Sequence, residues 1–311
     1  MILSRNKEAE RRRVWRAAVS RRNRYETRAR IAIAREIDRT ARHVTRLLRT
    51  DIDPESAIVA ASVEHRLRLR RIITREVTRI WLAESDVFRS VADTRLRSLI
   101  RARRRRKSIE VKVTADEAET LAAVDQLLRE ESRSARSQWL DNETPLAVQN
   151  ITATTQTTIR DALREATEQG LGIEGATRLI YERTGGEVAG RRAWTIARTE
   201  LHGAAEASTA NQIDGLGTFE DELGFSSRRQ WVSAEDERRR PSHKRAHGQF
   251  ENEDGKFRVG GTLLRYPGDP SGQVVSVGDA NDQSRNLASE IIHCRCIGVL
   301  VLEDTLGELE D

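Results

Sequence analysis

The sequence predicts an α+β protein in which a long, basic, all-helical N-terminal region precedes a C-terminal domain of helices and a small sheet. Three observations predict it. Residues 5–50 and 55–100 contain neither Gly nor Pro and carry apolar residues at helical spacing. After Gly217 the chain changes to short strand-like runs separated by Gly, Pro and Asp-Gly turns. The charge divides similarly: residues 1–110 hold 31 Lys and Arg against 14 Asp and Glu, a net of +17, and the remainder carries −12.

Each element has its own reason. In the first helix Ile33, Ile37, Val44 and Leu48 form an apolar stripe. Before Ile31 arginines dominate and only Val14, Trp15 and Tyr25 can pack, so that arm is expected to order on a partner. Asp51-Ile52-Asp53-Pro54-Glu55 breaks the helix, with Asp51 or Asp53 as cap and Pro54 in the next first turn. The second helix runs through Ile73, Trp81, Phe88 and Ile100 into the basic run Arg101–Lys107. Val111–Val113 reads as an extended link, and Thr114-Ala115-Asp116-Glu117 as the capped start of a helix reaching Trp139-Leu140.

Asp141-Asn142-Glu143-Thr144-Pro145 reads as a boundary between domains 1–142 and 143–311. Helices are expected over 146–168, threonine-rich from 152 to 158, then over 173–183 and 187–213. In the last, Trp194, Ala197, Leu201, Ala204 and Ser208 make one stripe, and Arg198, His202 and Glu206 a second that can pair along the surface. Strands and turns are expected over 225–302. Trp231-Val232 sits in a strand, Asn252-Glu253-Asp254-Gly255 in a hairpin, and Val274–Val277 in a short strand. Ile291–Leu302 is apolar almost throughout, as a central strand would be.

Composition bounds the function. The 311 residues have room for two domains, yet 4% aromatic and 33% charged residues leave the helical half a thin core. No run approaches the ~20 apolar residues of a membrane span. Met1-Ile2-Leu3-Ser4 leads straight into charged residues, which argues against a signal peptide. Two cysteines one residue apart cannot staple distant segments, so a cytosolic site of synthesis fits.

Three groups carry candidate chemistry. Arg11, Arg12, Arg13, Arg16, Arg21, Arg22 and Arg24, with Arg101, Arg103, Arg104, Arg105, Arg106 and Lys107, would suit nucleic acid or an acidic partner; a solvated helix surface is the plainer reading. His243-x-x-x-His247 with Cys294-x-Cys296 supplies two imidazoles and two thiols, a set that a structural zinc accepts; buried thiols and loop-bonded histidines are the plainer reading. Asp236, Arg238 and Arg240 alternate, so an extended chain would gather them into an ion-pair node. Besides a structural protein, two alternatives stand. One is a zinc-dependent hydrolase or nuclease acting on DNA with Asp236 or Glu200 as base; the other is a DNA-binding module with a structural zinc.

Taken in order, Ala197-Arg198-Thr199-Glu200, Trp231, Asp236-x-Arg238-x-Arg240-x-x-His243, Gly248, Pro267-Gly268-Asp269 and Cys294-Arg295-Cys296 resemble the phage head morphogenesis family. These are the Mu F-type minor capsid proteins of tailed bacteriophages, and the resemblance covers about residues 145–302. It departs at His293, where members often have Asn. The resemblance implies a minor head protein, not an enzyme, present in few copies in the virion and assembled in the host cytoplasm. It implies association with the portal during procapsid assembly, and a link to DNA packaging or ejection. Major capsid or scaffold proteins and non-specific DNA are the further partners expected, and no membrane. Arg198, Thr199, Glu200, Trp231, Asp236, Arg238, Arg240 and His243 are expected to form a structural polar cluster.

Overall fold

The computed structural model describes residues 2–3, 8–50, 52–106, 115–234, 236–275 and 287–304. Three long helices come first: α1 (Glu8–Leu48), α2 (Pro54–Arg106) and α3 (Ala115–Glu168). Asp53 caps α2, its Oδ1 accepting the Ser56 N–H at 3.0 Å, and Pro54 occupies the first turn, where its missing N–H costs nothing. Asp51, Lys107, Val111–Val113 and Thr114 lie outside the described residues.

The break expected at 141–145 is absent. α3 runs through it with Pro145 inside the helix. Buried residues, Trp139 before it, Thr144 within it and Val148 and Ile151 after it, keep one face continuous, and that burial overrides the local turn signal. The threonines behave as expected of a packed helix: Thr152 and Thr155 are buried, each hydroxyl donating to the carbonyl four residues back, at 2.7 and 2.8 Å. α4 (Ile173–Thr184) and α5 (Gly186–Gly217) follow, Gly170 and Gly186 taking the left-handed turns between helices.

The chain divides into two compact units. One joins Met1–Arg21, Ile80–Ser137 and His202–Asp311; the other joins Arg22–Arg79 and Gln138–Leu201. Neither follows a division at 142. The second unit is helical, and its core holds Val44, Ile58, Ile159 and Ile180. Beneath part of α1 and α2 lies a polar knot in which His65 Nδ1 meets Thr40 Oγ1 at 2.8 Å and Glu36 Oε1 at 3.4 Å.

The first unit contains the sheets. β1 (Ile2–Leu3), β2 (Phe225–Val232) and β6 (Ile297–Asp304) make a three-stranded sheet in the order β1-β6-β2, with β1 parallel and β2 antiparallel to β6. β6 is central and buried on both faces over Ile297–Leu302, which explains the apolar run there. Val299 and Val301 pack with Val14, Trp15 and Ala18 of α1, whereas Leu300 and Leu302 pack with Phe88, Leu128 and Phe225. The N-terminal arm as far as Arg21 is therefore part of this unit: this part of its helix is seated on the sheet, and Trp15 Nε1 donates to the Arg295 carbonyl at 2.8 Å.

A second sheet pairs β3 (Phe257–Val259), β4 (Thr262–Leu264) and β5 (Gln273–Val274) antiparallel. The turn at 252–255 forms as expected, with Gly255 N–H donating to the Asn252 carbonyl at 2.9 Å, while Phe250 bridges Gln230 of β2. Short helices α6 (Glu220–Leu223), α7 (Pro241–Ala246) and α8 (Leu287–Ile291) complete the described residues. The strand expected from 291 starts six residues later: α8 ends at Ile291, and His293 turns the chain with φ 57°.

Candidate functional site

Several elements of the first unit converge on one buried spot. β2 brings Trp231, α7 brings His243, and the segment between α8 and β6 brings Cys294 and Cys296; all four side chains are at most 3% exposed. Trp231 meets Phe257 and His243 edge-on, at ring separations of 5.4 and 5.8 Å. His243 Nδ1 lies 3.1 Å from Cys296 Sγ and 3.8 Å from Cys294 Sγ. Although these cysteines precede the strand, both sulfurs still reach one imidazole.

The other edge of that imidazole is held by a residue the sequence reading missed. His243 Nε2 is 3.0 Å from Glu290 Oε2, and the same oxygen accepts the Ser242 hydroxyl at 2.8 Å. Glu290 is 1% exposed. Gly260, at φ 58°, lets the β3–β4 turn close over it, since a Cβ there would stand 2.7 Å from Glu290 Oε1. The signal was a single carboxylate in Leu287-Ala-Ser-Glu290-Ile-Ile, just ahead of His293-Cys-Arg-Cys.

The electrostatics are those of a charged pair. Burial disfavours the His243 cation, but hydrogen bonds with Cys294 and Glu290 raise its pKa to about 9. Burial would raise the Cys294 thiol, yet hydrogen bonds from Cys296, His202 and His243 pull it well below the ordinary value. Burial and then the negative Cys294 hold Cys296 up. Glu290 stays low because its bonds to His243 and Ser242 outweigh burial.

Arg198, His202 and Glu206, expected to pair along α5, also meet other partners. A hydrogen bond from His202 helps hold the Cys294 thiol low, and Glu206 accepts the Gly298 N–H of β6 at 2.7 Å. Arg198, in the other unit, binds Glu26 through Nε and Nη2 at 3.0 and 2.8 Å. Glu200 lies in that unit too, its pKa raised to about 7 by burial and then by the charge of Glu143. Of the residues expected in the polar cluster, Arg198, Thr199 and Glu200 belong to one unit, and Trp231, Asp236, Arg238, Arg240 and His243 to the other.

The zinc set drawn from sequence does not gather as a whole. His247 terminates α7, and its backbone leaves the helix at φ −59°, ψ 127°, so it no longer shares a face with His243. Its Nδ1 instead accepts the Ser233 N–H at 3.2 Å. Among the described residues, the group close enough to share an ion is His243, Cys294 and Cys296, with donor atoms within 4.8 Å of one another.

The ion-pair node also rearranges. A turn at 236–239 breaks the extended alternation, its Arg239 N–H donating to the Asp236 carbonyl at 3.1 Å. Asp236 therefore takes the Arg295 guanidinium, one of whose bonds is 2.6 Å, and the Arg238 backbone N–H at 3.1 Å. The Arg295 hydrogen bond is the main cause of its lowered pKa. Arg240 donates to the carbonyls of Glu290 and Ile292 and braces the α8 end of the site.

The arginine-rich start of α1 divides by helical face. Arg11 is 9% exposed, its Nε donating to Gln230 Oε1 at 3.0 Å; Arg21 pairs with Glu84 at 2.7 Å, and Arg22 is buried. These three are removed from any contact face. Arg12, Arg13, Arg16, Arg24 and Arg101 are exposed, and Arg103, Arg104, Arg105 and Arg106 close α2.

The fold and site together define an α+β module locked by a buried histidine–thiol–carboxylate centre. Residues 157–299 match the model of the family described as Phage Mu protein F like protein, and over this stretch the chain is similar to that phage head morphogenesis family. No curated protein and no solved structure matches the chain. Among the described residues no helix is long and apolar enough to cross a membrane.

Proposed function

We propose that the protein is a minor head protein of a tailed phage that joins the portal during procapsid assembly and takes part in DNA packaging or ejection. The observation that carries this reading is the family match over residues 157–299. Two surface features support it. Arg12, Arg13, Arg16 and Arg24 leave an exposed basic face near the start of α1. Farther along, Arg35, Arg39, Arg42 and Arg46 line a groove with Arg68, at spacings that hold them in one stripe along ~16 Å of helix. Asp38, His43 and Glu64 share that groove, so its charge is tempered rather than uniform.

Such surfaces suit phosphates or an acidic protein face, where bidentate guanidinium contacts give affinity without sequence preference. The test is co-expression with the portal protein of the same phage. A complex with the portal oligomer that survives size exclusion supports the reading; a chain that elutes alone at all salt concentrations opposes it.

A further inference from the structure

In the helical unit, α2 carries an apolar stripe that the described residues leave uncovered. Val59, Val63 and Leu67 recur every fourth residue, about one turn apart, and are 48%, 56% and 54% exposed. Among the described residues no other helix leaves three large apolar side chains exposed at regular spacing. Valines also sit poorly on a solvated helix face, where they lose rotamer freedom and bury nothing. In a chain that is 33% charged, such a face calls for a partner surface.

The charges beside the stripe say what covers it. At about 100° per residue, Asp53 and Arg71 fall on one flank of the stripe, Glu55 and Arg66 on the other. Each flank thus has its acid at the N-terminal end and its base farther along. All four residues are exposed, and Arg66 and Arg71 carry no ion pair among the described residues. The two carboxylates are already fixed in place: Asp53 Oδ1 accepts the Ser56 N–H at 3.0 Å, and Glu55 accepts Arg160 Nε at 3.0 Å. Such flanks complement themselves in one orientation. Two copies of α2 laid antiparallel, Val59 of each level with Val63 of the other, bring like flanks together. Asp53 then faces Arg71 of the other copy, Glu55 faces Arg66, and two-fold symmetry repeats both pairs. A parallel arrangement opposes unlike flanks and sets Arg66 beside Arg71 of the other copy, which is repulsive.

We propose that this face is an interface with a second copy of the chain, α2 packing antiparallel on α2 through Val59, Val63 and Leu67. The contact from Asp53 to Arg71 runs ~27 Å, less than a standard interface supplies, so the dimer is weak, with Kd on the order of 10–100 µM. The inference is independent of the role in the phage head, since its readout is the association of the purified chain with itself.

The test is sedimentation equilibrium of the full chain over a range spanning that Kd, about 5–300 µM. A reversible monomer–dimer equilibrium is expected. Val63→Glu, at an exposed position that leaves the circular dichroism spectrum unchanged, should weaken it at least about tenfold. Arg71→Glu fixes the orientation by sign. It sets two acids together in the antiparallel dimer and should weaken association about threefold or more, whereas in a parallel dimer it would face Arg66 and tighten it. A wild-type chain that stays monomeric throughout overturns the proposal. That holds also where Val63→Glu instead breaks co-purification with the portal oligomer, which would give the stripe to a different protein. A dimer that Val63→Glu leaves intact, or that Arg71→Glu tightens, overturns it as well.

Discussion

Replacing Trp231 by Ala removes the largest side chain at the buried centre. The indole is fully buried. Burying up to about 250 Å² at ~25 cal/mol per Å² gives an upper bound near ~6 kcal/mol. The edge-on contacts with Phe257 and His243 add about 0.5–1.5 kcal/mol each, and partial collapse of the cavity returns some of the total. Truncations of this kind cost about 3–5 kcal/mol, so Trp231→Ala should destabilise the unit by about 4 kcal/mol. Trp231→Phe keeps an aromatic ring and should cost roughly half as much. Urea titration followed by circular dichroism gives the energy, and hydrogen exchange on peptides 225–232 and 297–304 locates it. A loss below about 1 kcal/mol in the Ala variant, with exchange in both strands unchanged, would refute the idea that this residue anchors the site.

Other consequences follow from single residues. Glu36 resists protonation: burial favours its neutral form, but bonds from His65 and then Arg68 outweigh this and lower its pKa. Its stabilisation is therefore present above the unfolded carboxyl value and lost as pH falls through the depressed folded value. The stability gap between wild type and Glu36→Gln should accordingly narrow below about pH 4.5, and a gap equal at pH 7 and pH 3 would contradict this. Gly260→Ala places a methyl group against Glu290 at a left-handed backbone position and should cost about 1–3 kcal/mol, whereas Gly190→Ala, inside α5 with open space around it, should gain roughly 0.5–1 kcal/mol; thermal melts of the pair check both signs. Arg11→Met should destabilise by about 1–3 kcal/mol, because Gln230 loses its buried donor. Neutralising the exposed Arg12, Arg13 and Arg16 together should leave stability within about 1 kcal/mol and flatten the salt dependence of duplex-DNA binding; an unchanged salt slope would place that contact elsewhere.

The α+β class was legible because its signals are local. The run of residues without Gly or Pro, the Asp53-Pro54 start of α2 and the Asp254-Gly255 turn need nothing beyond their neighbours in sequence. The centre itself was half legible. Trp231, His243, Cys294 and Cys296 stood out as scarce residue types crowded into one segment, and they do meet. Glu290 and His202 did not stand out, since a carboxylate in a short helix and a histidine in a polar stripe gain meaning only once β6 and α5 are brought together.

His247 misled because the i, i+4 rule assumes that the helix continues, and α7 stops one residue earlier. The 141–145 stretch misled for the opposite reason: turn-forming residues and Pro145 were outweighed by the buried face that α3 keeps through them. The basic arm was legible as charge and not as placement. Nothing in a count of arginines distinguishes Arg11, bound to Gln230, from Arg12 on the outer face; only seating the helix on the sheet does.

The head-protein assignment is tested most directly by the composition of purified particles. Quantitative mass spectrometry of procapsids and DNA-filled heads should find this chain in both or in procapsids alone, at a few copies per particle and in constant ratio to the portal subunit. Its absence from both kinds of particle, in lysates where the chain is abundant and folded, would contradict the assignment.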